Sequence, residues 1–234
     1  MSKAIVLFSG GKDSFYSLIR AQEMSSIKYL VSIKSPVGDT QLHAGPEADE
    51  ELRKTQLSLI GLPHKEIIIS SHNLYLHELF VGLSKLITHD KITHIVTGDL
   101  WHPYTSGIGD MLAGALGVEI IRPSRDACSS REKSTDYMNS VISNGIKSVI
   151  LSVREGILLK DYVGKEIDSA LVNELQSQDI DPAAESGEYQ SFVLSAPNMK
   201  GEIFIDDYTI ELVPGKNGKE NFNRMLVRKY HVEK

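Results

Sequence analysis

The run Ser9-Gly10-Gly11-Lys12-Asp13-Ser14 constrains this chain more than any other feature, because it fixes a strand, a tight turn and a helix in that order. An apolar, β-branched run, Ala4-Ile5-Val6-Leu7-Phe8, leads into it, and Phe15, Leu18 and Ile19 follow at helical spacing. Two glycines let the backbone approach a ligand closely, and the helix that follows points its free N–H groups back at the turn. Lys12 adds a fixed positive charge there, and Ser9 and Ser14 add hydroxyls. The combination reads as a phosphate cradle at the edge of a sheet. It is not a Walker A loop, which needs Gly-x-x-x-x-Gly-Lys-Ser/Thr, since Lys12 is followed by Asp13. Nor does the chain carry the Gly-x-Gly-x-x-Gly of a dinucleotide site.

Strand-like and helix-like runs alternate through the first two thirds. Strands are expected at Ala4–Phe8, Tyr29–Ile33, Lys65–Ile69, Ile92–Gly98, Glu119–Arg122 and Ser148–Val153. Leu76, Leu79, Phe80, Leu83, Leu86 and Ile87 repeat at helical spacing, as do Ile108, Met111, Leu112, Ala115 and Leu116 before the stop at Gly117. Met138, Val141 and Ile142 end at Asn144-Gly145. This alternation predicts an α/β fold of Rossmann-like type, a mostly parallel sheet with helices on both faces. Ligands of such sheets lie at the carboxyl ends of the strands, where both Ser9–Ser14 and Gly98-Asp99 fall. After about Val153 the texture changes. A helix is expected over Gly164–Gln176, a loop over Asp179–Glu188, and short strands at Tyr189–Leu194, Glu202–Ile205 and Tyr208–Val213. A turn at Gly215–Gly218 and a polar, fraying tail from Asn221 complete the reading. The expected division is a domain over 1–154 that carries the phosphate-type loop and a smaller C-terminal α+β lobe over 155–234.

The apolar content of 41% supports a substantial core, and no stretch approaches the roughly 18 apolar residues of a membrane span. The N-terminus runs straight into a strand, without a signal or transit peptide pattern. One cysteine, Cys128, excludes an internal disulfide and any Cys-x-x-Cys site. These features together predict a cytoplasmic protein. The net charge of −6 lacks the basic footprint of a nucleic-acid binder, and the eight histidines show no ligand spacing.

Several groups carry candidate chemistry. Asp13 suits a Mg²⁺ ligand beside phosphate oxygens, and equally a cap on the following helix. Asp99, ending a buried strand, suits metal binding, acceptor orientation or proton transfer, or else a turn. Trp101, beside His102, Pro103 and Tyr104, reads as a substrate wall or as a lid on the core. In Glu185-Ser186-Gly187-Glu188-Tyr189, the glycine permits a turn that aims both carboxylates to one side. Such groups bind ammonium or amides, or act as general base; a solvated turn is the alternative. Arg122 and Arg125 suit a phosphate or a surface ion pair. Cys128 reads as an inert thiol.

The loop's spelling resembles the pyrophosphate loop (PP-loop) of the ATP pyrophosphatases. With Gly98-Asp99, Gly164, Asp168, Glu185 through Tyr189, Phe192 and Pro197 in order, the chain resembles the diphthine–ammonia ligase (diphthamide synthetase) family and its bacterial relatives. The resemblance spans about residues 4 to 205. It implies an adenine-nucleotide α-hydrolase fold and a ligase that adenylates a carboxylate with ATP and lets ammonia displace AMP. It implies ATP and Mg²⁺ as cofactors, with Ser9, Gly10, Gly11, Lys12, Asp13, Ser14 and Ser32 at the nucleotide and Asp13 at the metal. It places Asp99, Glu185 and Glu188 in the catalytic site. The implied partners are ATP, ammonia and a carboxylate acceptor, either protein-borne diphthine or a small molecule, with a homodimer allowed and no membrane. Three departures stand out. Ser186 replaces the first glycine of Glu-Gly-Gly-Glu, Asp99 through Tyr104 stands where a Tyr-Gln-Arg element is usual, and Asp179-Ile180-Asp181-Pro182 looks like the bacterial branch. Other readings are a tRNA-modifying PP-loop enzyme and a non-catalytic nucleotide-binding module. The acidic charge and the single cysteine argue against the tRNA reading.

Overall fold

The computed structural model describes residues 2–34, 47–214 and 220–234, and divides them into two compact units. The first holds residues 2–9, 13–34 and 62–129; the second holds 10–12, 47–61 and the described residues from 130 onward. The turn expected at Gly215–Gly218 lies outside the described residues.

The first unit is built on a five-stranded sheet in the order β3-β2-β1-β4-β5. Its strands are β1 (Ser2–Leu7), β2 (Ser25–Lys34), β3 (His64–Ile68), β4 (His94–Val96) and β5 (Glu119–Ile121). Every pairing is parallel, as the alternation predicts. Consecutive Ala4, Ile5 and Val6 are all buried, which requires cover on both faces of the central strand. On one face Ile5, Val31, Ile67 and Ile95 pack with Leu79 and Leu83 of α3 (Tyr75–Asp90) and Leu112 of α4 (Pro103–Leu116). Burying each such leucine contributes roughly 1.5–3 kcal/mol. Helix α1 (Lys12–Gln22) turns Phe15, Leu18 and Ala21 fully inward, and Phe15 meets Phe8 edge-on at 5.0 Å. Strand order reverses between β1 and β4, and the crevice beyond their carboxyl ends is where sheets of this kind bind ligands. This is the parallel α/β sheet, covered by helices, that the sequence predicts. The Arg122–Asp126 segment, read as a loop, forms the short helix α5 (Pro123–Ala127) because Pro123 occupies its first turn.

The second unit carries helices α2 (Glu47–Ile60), α6 (Ser134–Ser143) and α7 (Ser169–Ser177) and an antiparallel sheet in the order β7-β6-β9-β8. Its strands are β6 (Lys147–Arg154), β7 (Tyr189–Ser195), β8 (Glu202–Pro214) and β9 (Asn221–Glu233). Four details correct the sequence reading. The run Ser148–Val153 does not join the parallel sheet; β6 pairs antiparallel with β7 and β9. The expected helix over Gly164–Gln176 begins only at Ser169, where the Asp168 carboxylate caps it by accepting from Leu171 N at 2.8 Å. Residues 165–168 before it are not helical, with Glu166 bridged to Val149, and Gly164 lies in a turn at φ +88°, where a Cβ would meet the Tyr208 ring at 2.8 Å. The tail from Asn221 does not fray: Met225, Leu226 and Val227 of β9 are buried mid-sheet. The two short runs at 202–205 and 208–213 are one strand, kinked by an irregularity at Asp206. Among the described residues no helix is long and apolar enough to cross a membrane.

Candidate functional site

The loop Ser9–Ser14 contributes Ser9, Asp13 and Ser14 to the first unit and Gly10, Gly11 and Lys12 to the second. In the first unit, Ser9 Oγ donates to Ser14 Oγ at 3.1 Å, which ties the two ends of the loop together. Asp13 lies in the first turn of α1, where an acidic side chain favours the helix dipole. Its carbonyl accepts from Ser124 Oγ at 3.1 Å, and Ser124 also meets Ser17 at 2.8 Å. Gly98 explains itself sterically, for a Cβ there would stand 3.0 Å from Asp13 C and Ser14 N. The end of β4 therefore rests directly on the start of α1.

Asp99 is already engaged. Its Oδ2 accepts from Thr97 Oγ1 at 3.0 Å and lies 3.6 Å from Arg122 Nε, while Arg122 Nη1 meets Asp110 at 2.8 Å. Two segments read separately in the sequence thus form one ion-pair chain. Ser32 is buried and donates to Phe8 O at 2.9 Å, with His64 Nε2 3.0 Å from the same hydroxyl. That hydroxyl fastens the end of β1. Trp101 Nε1 is buried with no hydrogen-bond partner among the described residues. Cys128 is fully buried, in keeping with an inert thiol.

In the second unit the middle of the loop lies along β7. Gly10, at φ +85°, presents its carbonyl to Val193 N at 3.1 Å and to Gln56 Nε2 at 3.1 Å. Lys12 N donates to Ser191 Oγ at 3.1 Å. The Lys12 side chain is 3% exposed; its ammonium donates to Ala183 O at 2.7 Å and lies 5.5 Å from the Tyr189 ring centroid. Such charge-assisted and cation–π contacts hold a lysine in one place.

The Asp179–Tyr189 segment is braced from within. The buried Asp181 carboxylate accepts Ala183 N at 3.0 Å and Glu185 N at 3.1 Å, and Tyr189 Oη donates to Pro182 O. Ala184 and Gly187 take positive φ, so the chain doubles back twice. The turn aims only one glutamate inward: Glu188 is 9% exposed, whereas Glu185 is half-buried. Burial pushes the Glu188 carboxyl above the ordinary glutamate range, and repulsion from Asp181 adds to it; local backbone hydrogen bonds and the Arg154 charge oppose the shift. Its Oε2 is buried and has no hydrogen-bond partner among the described residues.

Sequence reading passed over Gln56, Ser191, Arg154 and Arg224, and gave Asp181 no role at the site. Leu52, Leu59 and Ile60, buried around Gln56, mark an amphipathic helix that could have located it. The others are polar residues in loops or buried strands, which no spacing rule singles out. Among the described residues no three His, Cys, Asp or Glu side chains gather as a metal cluster.

The profile of the diphthamide synthase N-terminal domain matches residues 2–118, and that of the diphthamide synthase C-terminal domain matches residues 133–225. No curated protein matches the chain in sequence. Among solved structures, it is similar to a predicted subunit of tRNA methyltransferase from Methanocaldococcus jannaschii, with 14% identity over 84% of this chain and 98% of that one and a TM-score of 0.43. The U34-tRNA thiolase NcsA from Methanococcus maripaludis shares 13% identity over 80% of this chain and 70% of its own, with a TM-score of 0.39. The UDP-GlcNAc 2-epimerase from Methanocaldococcus jannaschii shares 14% over 62% and 43%, with a TM-score of 0.33. Likenesses of this size carry nothing about substrate.

Proposed function

Because the chain belongs to the diphthamide synthase family, we propose that it is an ATP-dependent, AMP-forming ligase that converts a carboxylate into a carboxamide with ammonia. The observation that carries this reading is the junction of its two motifs. Lys12, in the phosphate-type loop, is bonded to Ala183 and lies over Tyr189, at the two flanks of the glutamate-bearing turn and 171 positions or more along the chain.

In the proposed reaction the acceptor carboxylate attacks the α-phosphorus of ATP, and the bond to the β-phosphate breaks to release pyrophosphate. Ammonia then attacks the acyl carbon of the adenylate; AMP leaves with the bonding pair and a proton is lost. Gly10, Gly11 and Lys12, with the hydroxyls of Ser9 and Ser14, cradle the phosphates at the start of α1. Gly98 leaves that helix start free to sit close to the sheet end. Ser32 takes a supporting place at the nucleotide, holding the end of β1 through Phe8. Glu188 takes the proton or holds the nitrogen of ammonia; Glu185 assists from the rim. Asp99 orients the acceptor while its charge is balanced by Arg122.

A Mg²⁺ ion fits Asp13, because such an ion needs only one or two carboxylates beside phosphate oxygens, and Asp13 adjoins the cradle. When bound, the ion would neutralise charge on the departing pyrophosphate. A cytoplasmic setting and an acceptor that is either protein-borne diphthine or a small carboxylate belong to the same proposal.

Phosphorus NMR tests it. ATP, ammonium and a diphthine-bearing protein or a pool of small carboxylates should yield AMP and pyrophosphate in equal amounts. ADP and phosphate would overturn the reading, and nucleotide binding without turnover on any acceptor would favour a non-catalytic module.

A further inference from the structure

The antiparallel sheet of the second unit ends on β8, so one edge of that strand pairs with β9 and the other pairs with no strand among the described residues. An unpaired edge offers a row of backbone N–H and C=O groups to another strand. The open stretch is short and bracketed. At its start the register with β9 breaks on both sides of Asp207, and at its end stands Pro214, which has no N–H to give. Between them, residues 208–212 are all exposed. Tyr208, Ile210 and Leu212 alternate onto one face, at 38%, 37% and 56% exposure, and Thr209 and Glu211 onto the other. The apolar face continues past the strand. Tyr208 Oη donates to Val163 O at 3.4 Å, and the turn that ends at Val163 begins at Leu159, which is 71% exposed. On the polar face Arg228 of β9 donates from Nη2 to Thr209 Oγ1 at 3.2 Å and lies 3.6 Å from Glu211.

Pairing with an identical edge about a two-fold axis closes both edges at once and opens no new one. Such an antiparallel pair keeps every residue on its own face, so the axis passes through a residue that lies opposite its own copy. The bracketed stretch has Ile210 and Glu211 at its middle. Centring on Glu211 sets that carboxylate against itself, and centring on Thr209 sets Asp207 against Glu211; both are like-charge pairs. Centring on Ile210 has neither fault. It puts Tyr208 opposite Leu212 of the second copy and Ile210 opposite Ile210, apolar on apolar, and it puts Glu211 opposite Thr209. Arg228 of the second copy already holds that Thr209, so each Glu211 meets a second guanidinium. We propose that β8 is the interface of a symmetric dimer, in which two copies of the chain join their sheets into one through antiparallel β8 strands centred on Ile210.

Sedimentation equilibrium of the whole protein tests it, with circular dichroism to confirm that each variant is folded. The 25.9 kDa chain should sediment at twice that mass in the micromolar range. Ile210→Lys should weaken association at least about a hundredfold, because the axis brings the introduced charge against its own copy in an apolar strip. Met24→Lys, at an apolar residue of 54% exposure away from the strand, should leave association unchanged. Glu211→Arg and Arg228→Glu should each weaken it about three- to tenfold, since exposed ion pairs are individually modest. The double reversal should restore it, a rescue that loss of folding cannot mimic. A wild-type chain that stays monomeric would overturn the assignment and leave the edge to a different protein or to water. A dimer that persists in folded Ile210→Lys would also overturn it, by moving the interface elsewhere. Association that the double reversal fails to restore would refute the register centred on Ile210.

Discussion

Replacing Gly10 by alanine should destabilise the second unit severely, and the size of the effect can be worked from two separate causes. The first is conformational: Gly10 sits at φ +85°, where an L side chain costs roughly 1–2 kcal/mol. The second is steric. The new Cβ would stand 2.6 Å from Gln56 Oε1. Gln56 cannot swing aside freely, since it is fully buried and its Nε2 donates both to Gly10 O at 3.1 Å and to Val193 O at 2.7 Å. Overpacking of this kind costs typically 1–3 kcal/mol. The sum is about 2–5 kcal/mol, a large share of the 5–15 kcal/mol that holds an ordinary domain. Gly156 supplies the control, with φ +81° and nothing within 4 Å of its Cβ position. Gly156→Ala should therefore lose only the first contribution. Urea unfolding of both variants measures the difference, which should be about 1–3 kcal/mol. If Gly10→Ala falls within about 0.5 kcal/mol of Gly156→Ala, Gln56 is not the rigid wall described and the steric argument fails.

Asp168→Ala should cost roughly 1 kcal/mol by removing the cap on α7, and Asp168→Asn should recover most of it; the urea midpoint reports both. Gly114→Ala, at an open position inside α4, should stabilise by about 0.4–1 kcal/mol and raise the melting temperature. Glu188 carries a proton more tightly in the folded protein than in the unfolded chain, so its contribution is full at pH below the ordinary glutamate range and is lost as pH rises through the raised value. Glu188→Gln should accordingly be more stable than wild type at neutral pH, with the difference closing below about pH 4 in denaturant titrations. A constant difference across that range would refute the raised carboxyl.

The parts of the fold that were legible in the sequence are those where a local rule has one outcome. Ser9–Ser14 follows a buried strand and opens a helix, and it does so in the structure because glycine conformations and helix starts are set by near neighbours. The parallel sheet was legible for the same reason, since strands β1 to β5 are separated by helix-length segments. Strand β6 was not. Its apolar residues read alike for a parallel and an antiparallel partner, and the choice fell to β7 and β9, whose residues lie far along the chain. The polar tail misled for a related reason. Asn221 through Arg228 is unremarkable by composition, but β8 and β6 flank it on both sides and bury its centre.

The candidate site divides along the same line. The sequence by itself determined the phosphate-type loop, the carboxylate at the end of β4 and the doubling-back turn that bears Glu185 and Glu188. Only the tertiary structure decided what those groups are doing. It locked Lys12 onto Ala183, paired Asp99 with Arg122, fastened Ser32 to Phe8, and buried Glu188 while leaving Glu185 at the rim. The physical reason is range. Backbone geometry is fixed by the residues on either side, whereas the charge state and partner of a side chain depend on whatever the fold brings within a few ångströms of it.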